Sequence, residues 1–226
     1  LDEQIKLLHT QNGGSAAVAR NMGIEAANGR YIAFLDADDL LASENVLSYA
    51  YQYCVKKQLD FVHFDAKSFF ENEEIKEKNP YYVTAYQRDK EYGYYDSGIN
   101  LLTDIVADNM YYQSACLSMF KRSFLNDNDI HFLEGVFFED NIFTLQCFLK
   151  ARKVMHLKFV VMSRRVHENS IMQSRYIIEK FSFLYNGITL FVRDSNNIKF
   201  NHKNTITTKN PNNYNIYNNT IISSSM

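Results

Sequence analysis

The sequence lacks the features that mark several classes of protein. Its three cysteines lie far apart without a CxxC pair, which argues against a zinc site or a disulfide framework and favours a reducing cytoplasm. No apolar run reaches the roughly 18 residues that a membrane span needs. The start has neither the basic nor the apolar region of a signal peptide, and the first residue is Leu1. We therefore expect a cytoplasmic protein, and a chain that is a piece of a longer one.

The composition is that of one globular domain with an uneven charge. The 226 residues are 46% hydrophobic and 22% charged, which is enough for a sizeable core. Residues 1–149 carry 12 basic and 23 acidic side chains, whereas residues 150–226 carry 12 and 3. The acidic part can hold a divalent cation, and the basic part can attract anionic lipid or a phosphorylated substrate. An uneven but merely solvated surface is the alternative.

Apolar periodicity predicts alternating strands and helices in the first third of the chain. The expected order is a strand at 5–9, a helix at 15–28, a strand at 31–35, a helix at 44–58 and a strand at 59–64. Such closely spaced alternation predicts an α/β fold with a largely parallel sheet, in which ligands bind at the carboxyl ends of the strands.

The rest of the chain is less regular. Residues 69–98 are charged and rich in tyrosine without clear periodicity, which predicts a mobile insertion. A helix is expected at about 140–152 and a strand at 158–162. Ten of the 24 residues from 196 to 219 are Asn. We therefore predict a domain over residues 1–195 and a low-complexity tail over 196–226.

An acidic cluster follows the second predicted strand, at residues 31–35. Alternate residues of a strand project to the same side, so Asp36 and Asp38 are expected to point together, with Asp39 beginning the next loop. Three carboxylates repel one another unless a cation neutralises them, and hard oxygen ligands suit Mg²⁺ or Mn²⁺ with a bound diphosphate. The alternative is that Asp38 and Asp39 begin a turn and cap a helix.

A glycine-rich turn precedes the first predicted helix. Backbone N–H groups after Gly13, Gly14 and Ser15 would favour an anion, and Arg20 could reach a phosphate or a base edge. A plain helix cap with one surface arginine is the alternative.

Two further groups carry candidate chemistry. Glu139 and Asp140 follow three apolar residues, and a carboxylate beside apolar walls can act as a general base, although an N-cap role is the alternative. Arg164, Arg165 and His167 follow a strand, where guanidiniums can bind diphosphate and imidazole a metal, unless the loop is merely solvated. The remaining histidines show no ligand spacing and are interpreted as structural.

Three segments taken in order resemble the bacterial family 2 glycosyltransferases. They are GGSAAVARNMGIEAANGRYIAFLDADD (13–39), FKRSFLNDNDIHFLEGVFFEDNIF (120–143) and RRVHENSI (164–171). The resemblance covers roughly residues 5–175. It implies a GT-A fold, in which helices flank a nucleotide-sugar-binding sheet, and inverting transfer from a UDP-sugar or another nucleotide-sugar. Such a displacement needs a metal on the departing diphosphate and a base on the acceptor hydroxyl.

The resemblance also implies roles on the donor side of the site. Asp36 and Asp38 match the family's DxD acids, which hold the ribose and the metal, and Asp39 stands beside them as a further metal ligand. Arg20 matches the arginine of the ARN motif, a nucleotide contact, and Gly14 belongs to the same nucleotide-sugar site. The implied cofactor is Mn²⁺ or Mg²⁺.

On the reaction side, Asp140 matches the aspartate of the family's ED motif, the catalytic base, with Glu139 beside it near the acceptor. His167 is similar in position to a histidine that approaches the metal or the diphosphate in some members. The family's first strand, of the type VSVIIPxYN, and its strand ending in DDGS do not occur here, so we expect the chain to begin after both.

The expected acceptor is a cell-surface glycan or glycolipid such as lipopolysaccharide, capsule or exopolysaccharide. The basic part predicts peripheral contact with anionic lipid at the inner membrane face. No nucleic acid is expected, because aromatic residues are not interleaved with the basic ones. Two alternatives stay open: a glycosyltransferase remnant without catalysis, and a haloacid-dehalogenase-like phosphatase with Asp36 as nucleophile, although Leu40 stands where that motif prefers Thr or Val.

Overall fold

The structure is a computed structural model that describes residues 5–10, 16–136 and 139–168. The turn at Gly13, Gly14 and Ser15 and the Asn-rich segment 196–226 lie outside the described residues. The strand predicted at 5–9 does not form, since residues 5–10 have no regular structure and their apolar side chains are exposed.

The described part of the chain contains six strands and seven α-helices. The strands are β1 (Tyr31–Ala33), β2 (Leu40–Leu41), β3 (Phe61–Phe70), β4 (Gly93–Tyr95), β5 (Ser118–Lys121) and β6 (Val154–Val166). The helices are α1 (Ala17–Ala26), α2 (Val46–Lys57), α3 (Glu73–Lys78), α4 (Tyr81–Thr84), α5 (Gly98–Ala107), α6 (Arg122–Asp127) and α7 (Glu139–Lys150). None of these helices is long and apolar enough to cross a bilayer.

The strands form one mixed sheet in the order β1-β5-β3-β6-β2, with β4 also paired to β6. Among the strands that the structure describes, only β3 and β6 pair in parallel, so the prediction of a largely parallel sheet is wrong. β5 inserts between β1 and β3 and runs antiparallel to both. β1 and β3 therefore point the same way without pairing. An apolar run indicates burial but not strand direction, which is why the pattern could not reveal this insertion.

Helix α2 covers one face of the sheet. Val46, Ala50 and Cys54 recur every fourth residue, so they share one side of the helix and are buried against Val62 and Leu157 of the sheet. Burying a side chain of the size of Val46 stabilises the fold by about 1.5–3 kcal/mol. The α/β class predicted from the sequence is thus confirmed.

Residues 69–98 are ordered, which corrects the prediction of a mobile insertion. The segment continues β3 to Phe70 and then forms α3, α4 and β4. Its polar sequence is anchored by the Arg88 guanidinium, which is fully buried and lies 2.7 Å from Asp65 of β3. Hydrophobic patterns place arginine at the surface, so the sequence alone could not predict a buried ion pair of this kind.

Helix α7 is held tightly against α5. Gly98 begins α5 directly beneath the Phe148 carbonyl, and a side-chain carbon there would collide with that oxygen. The Gly98 N–H also donates to Ala151 at the end of α7. This close approach helps to fix α7, whose first turn carries Glu139 and Asp140.

Candidate functional site

The acidic cluster lies in a turn beyond the carboxyl end of β1. The strand ends at Ala33, and the Asp39 N–H donates to the Asp36 carbonyl at 3.1 Å. Asp36 and Asp38 therefore do not project together from a strand, as their spacing predicted. Their side chains are 46% and 49% exposed. The turn leaves both carboxylates accessible to a ligand.

Arg20 joins this turn to the start of α7. One guanidinium nitrogen lies 2.7 Å from Asp36 Oδ1, and the other lies 2.7 Å from Asp140 Oδ1 and 3.6 Å from Glu139 Oε1. The guanidinium packs 5.3 Å from the centre of the Phe132 ring. Four residues that the sequence singled out separately are thus brought into one cluster, across 120 residues of chain.

The Asp140 carboxyl has an unusual environment. Its Oδ1 also accepts from the Ala115 N–H at 3.4 Å, and α7 begins one residue earlier, so Asp140 is not the helix N-cap. Burial raises its pKa to about 6, with the negative charges of Glu139 and Asp36 adding to the rise, while Arg20 opposes it. Such a carboxyl is ionised at neutral pH and still a usable base.

The carboxyl end of β6 closes the other side of the cluster. β2 pairs with β6 so that Leu40 stands opposite Ser163, which places the residues after β6 beside the acidic turn. The Arg165 N–H donates to Asp39 Oδ1 at 2.9 Å, and burial raises the pKa of Asp39. His167 Nε2 lies 3.5 Å from Asp38 Oδ2.

Arg164 and Arg165 lie within β6 rather than in a loop after it, and their side chains point in different directions. Arg164 stacks on the Tyr86 ring at 5.0 Å and donates to the Tyr86 hydroxyl. Arg165 turns its side chain to Glu71, 3.0 Å away. The two guanidiniums, both singled out as possible diphosphate ligands, are therefore not brought together. Of the two side chains, only that of Arg164 points toward the acidic turn, because successive residues of a β-strand point to opposite faces of the sheet.

The side chains around the acidic turn offer few ligands to a divalent cation. Among the residues described, no group of three or more His, Cys, Asp or Glu side chains is arranged to hold a metal. Asp36 is engaged by Arg20, and Asp39 accepts a backbone N–H, which leaves Asp38 with His167. One carboxylate and one imidazole fit Mn²⁺ or Mg²⁺ only if diphosphate oxygens and water complete the coordination.

Asn21 is a residue of the site that the sequence did not single out. Its side-chain amide donates to the Phe132 carbonyl and accepts the Phe132 N–H, both at 2.9 Å. The Phe132 ring in turn stacks on Phe143 of α7 at 3.9 Å. Asn21 therefore fixes the surface on which Arg20 rests. Its only signal in the sequence is its place beside Arg20.

The sequence matches Glycosyl transferase family 2 over residues 1–128. It is 26% identical over 193 residues to the glycosyltransferase GlyG of Streptococcus pneumoniae, covering 80% of this chain and 61% of that protein. It is 27% identical over 143 residues to the poly(ribitol-phosphate) beta-N-acetylglucosaminyltransferase TarP of Staphylococcus aureus, covering 63% and 39%. The chain thus spans about half the length of the curated relatives it matches.

A solved structure supports the same relationship at the level of the fold. S. aureus TarS 1–349 in complex with UDP-GlcNAc superposes with a TM-score of 0.58 at 20% sequence identity, over 81% of this chain and 49% of that chain. The mixed sheet with flanking helices is therefore a GT-A fold.

Proposed function

Because the chain belongs to glycosyl transferase family 2, we propose that the protein transfers a sugar, with inversion, from a UDP-sugar to a hydroxyl group of a cell-surface glycan. The observation that carries this proposal is the Arg20 cluster, which joins a donor-side acid, Asp36, to a candidate base, Asp140. The relatives' names support it: GlyG is a glycosyltransferase, and TarS was solved with UDP-GlcNAc.

On the donor side, Asp36 and Arg20 are proposed to bind the nucleotide-sugar, together with Gly14 of the preceding turn. Asp38 and His167 would hold Mn²⁺ or Mg²⁺. When bound, the ion would neutralise the charge that develops on the departing diphosphate. Asp39 adds negative charge beside these ligands and, through the Arg165 N–H, holds the end of β6 in place.

On the acceptor side, Asp140 is proposed to take the proton from the attacking hydroxyl. The raised pKa of about 6 suits this role, because the group is ionised at neutral pH and binds a proton more strongly than an ordinary aspartate. Glu139 lies beside it and is proposed to contact the acceptor. Oxygen attack at the anomeric carbon opposite the diphosphate would invert the configuration.

The acceptor is proposed to be a cell-wall or surface polymer, such as lipopolysaccharide, capsule or exopolysaccharide. The name of TarP, which acts on poly(ribitol-phosphate), supports the broad class. The protein is proposed to lie in the cytoplasm, and the basic charge of residues 150–226 supports peripheral contact at the inner membrane face. Binding to anionic vesicles that raised salt reverses would support this contact, and salt-insensitive or absent binding would contradict it.

The function is tested by measuring UDP release from a panel of UDP-sugars with Mn²⁺ and a surface-glycan acceptor. We expect acceptor-dependent release of UDP from one donor. Release should be lost in Asp140→Asn and should stay at the wild-type level in the exposed control Asp96→Asn. UDP binding without any turnover would instead indicate a catalytically inactive remnant. Release of phosphate from a simple monoester would favour the phosphatase alternative, which family membership already disfavours.

A further inference from the structure

The Arg20 guanidinium is shared between two carboxylates with different proposed tasks. Its two terminal nitrogens each make a 2.7 Å contact, one to Asp36 and one to Asp140, and a third carboxylate, Glu139, lies 3.6 Å away. The Arg20 side chain is only 11% exposed. One planar fork thus fixes the distance between the donor-side acid and the base.

The guanidinium is itself held from behind. Phe132 supports it at 5.3 Å, Asn21 fixes the Phe132 backbone through two hydrogen bonds, and Phe143 of α7 stacks on the Phe132 ring. α1 therefore packs against the segment that leads into α7 and, through Arg20, against the carboxylate at the start of that helix. A side chain buttressed in this way is suited to aim another group.

Arg20 is also the cation among the groups that face Asp140. The titratable groups acting on Asp140 are Arg20 of α1, Asp36 after β1, Glu139 of its own helix, and Cys116 and Tyr111 of the segment before β5. Cys116 and Tyr111 are neutral at pH 7, because burial raises the pKa of each. Without Arg20, no cation would remain among the groups that act on Asp140, while the negative charges of Glu139 and Asp36 would stay.

We propose that Arg20 is a positioning residue for the catalytic base: its guanidinium keeps the Asp140 carboxylate charged and aimed, and ties its placement to that of Asp36. This role is additional to any contact with the nucleotide, and it rests on the proposed function. A nucleotide contact alone would change donor binding. A positioning residue changes the base itself, and the two can be separated by experiment.

The test compares Arg20→Gln and Arg20→Lys with Arg30→Gln, an exposed arginine whose replacement removes the same charge elsewhere. In Arg20→Gln we expect kcat to fall about 100-fold at pH 7, mostly because the base is no longer aimed, and the acid limb of the kcat/KM profile to move up by about one pH unit. Alkaline pH should restore only the part of the loss that is due to protonation, about twofold at pH 7. Arg20→Lys should recover part of the loss, because lysine restores the charge but not the fork. Arg30→Gln should leave the profile unchanged.

A rise in donor KM with an unshifted acid limb would overturn the proposal and leave Arg20 as a nucleotide contact only. A ¹³C NMR titration of the Asp140 carboxyl in the wild type and Arg20→Gln reads the same effect without turnover. There, an upward shift in the variant supports the proposal, and an unchanged titration overturns it. If the wild type transfers no sugar, the proposed function fails, while the NMR titration still decides the role of Arg20.

Discussion

Two arginines in this protein each gather side chains from distant parts of the chain, but in opposite surroundings. Arg20 faces three carboxylates, and its partners Asp36 and Asp140 are partly exposed. Arg88 is completely buried, and its one carboxylate partner, Asp65, is 3% exposed. The first cluster carries surplus negative charge at the surface, and the second is closed to solvent.

The buried cluster satisfies its own hydrogen bonds almost completely. Asp65 Oδ1 accepts hydrogen bonds from the Arg88 guanidinium at 2.7 Å and from His156 Nε2 at 3.1 Å. His63 accepts from Arg88 through Nε2, which leaves Nδ1 to donate to the Ser118 hydroxyl at 2.8 Å. His156 accepts the Tyr92 N–H through Nδ1, so both histidines are neutral and one positive charge balances one negative charge. This agrees with the structural role that the sequence predicted for them.

The difference in exposure and net charge indicates that the two clusters have different roles, one in stability and one in function. Burying charges is costly unless they are paired, so a closed, balanced cluster such as that of Arg88 holds the fold together. A partly open cluster with more anions than cations retains the capacity to bind a metal ion or another positively charged group. The Arg20 cluster is of this second kind, which is why the proposed site is placed there.

The largest expected effect is on catalysis in the open cluster. Replacing Asp140 by Asn should lower the transfer rate by about 10²–10⁴-fold, because the hydroxyl loses its base. The same change should leave stability at pH 7 equal or higher, since the pKa of about 6 means that ionising this partly buried carboxyl costs folding free energy. UDP release and urea unfolding measure the two effects. An Asp140→Asn variant with the wild-type transfer rate would show that Asp140 is not the catalytic base.

The next effect is on stability in the closed cluster. Arg88→Met should destabilise the fold by about 3–5 kcal/mol, because Asp65 is left buried without its cation. Urea unfolding measures it, and the exposed Arg30→Met is the matched control, with an expected change within about 0.5 kcal/mol. A loss no larger than that of the control would contradict the view that Arg88 anchors residues 69–98.

The two clusters should respond oppositely to acid. Burial lowers the pKa of His63 and His156, so the folded state resists their protonation, and stability is lost as the pH falls below about 6.5, by up to about 1.4 kcal/mol per pH unit for each histidine. Asp140 has a raised pKa, so the folded state takes up its proton first, and stability is gained as the pH falls from about 6 towards 4.

Urea unfolding between pH 7 and 5 tests this opposition with two variants. Asp140→Asn should make the acid loss of stability steeper, because the compensating proton uptake is gone. His156→Gln should make the loss shallower, because one resisting group is removed. Parallel pH curves for the wild type and both variants would show that neither cluster controls the acid response.

The sequence predicted local structure better than long-range pairing. Helix α2 and helix α7 were expected at 44–58 and about 140–152, and they form at Val46–Lys57 and Glu139–Lys150, because apolar periodicity reports a buried helical face. The antiparallel insertion of β5 and the order of residues 69–98 were missed. Both depend on contacts between distant residues, such as Arg88 with Asp65, that no local pattern encodes.

For the candidate site, residue chemistry alone could not decide between a functional role and a structural one, such as a helix cap or a turn, for any of the candidate residues. Only the family resemblance placed Arg20, Asp36 and Asp140 in one site, and the structure brings these three together. The turn that carries Asp36 to Asp39 was foreseen only as the alternative, because acids after an apolar run can continue a strand or leave it. Asn21 was missed because its partner, Phe132, is 111 residues away.

The most direct test of the central claim, that the open cluster binds a nucleotide through a metal ion, is calorimetric titration of UDP into the purified protein with and without Mn²⁺. We predict binding that requires Mn²⁺, that is lost in Asp38→Ala and that persists in the exposed control Asp96→Ala. Metal-independent binding, or binding of equal strength in Asp38→Ala, by a protein that unfolds cooperatively would contradict the claim.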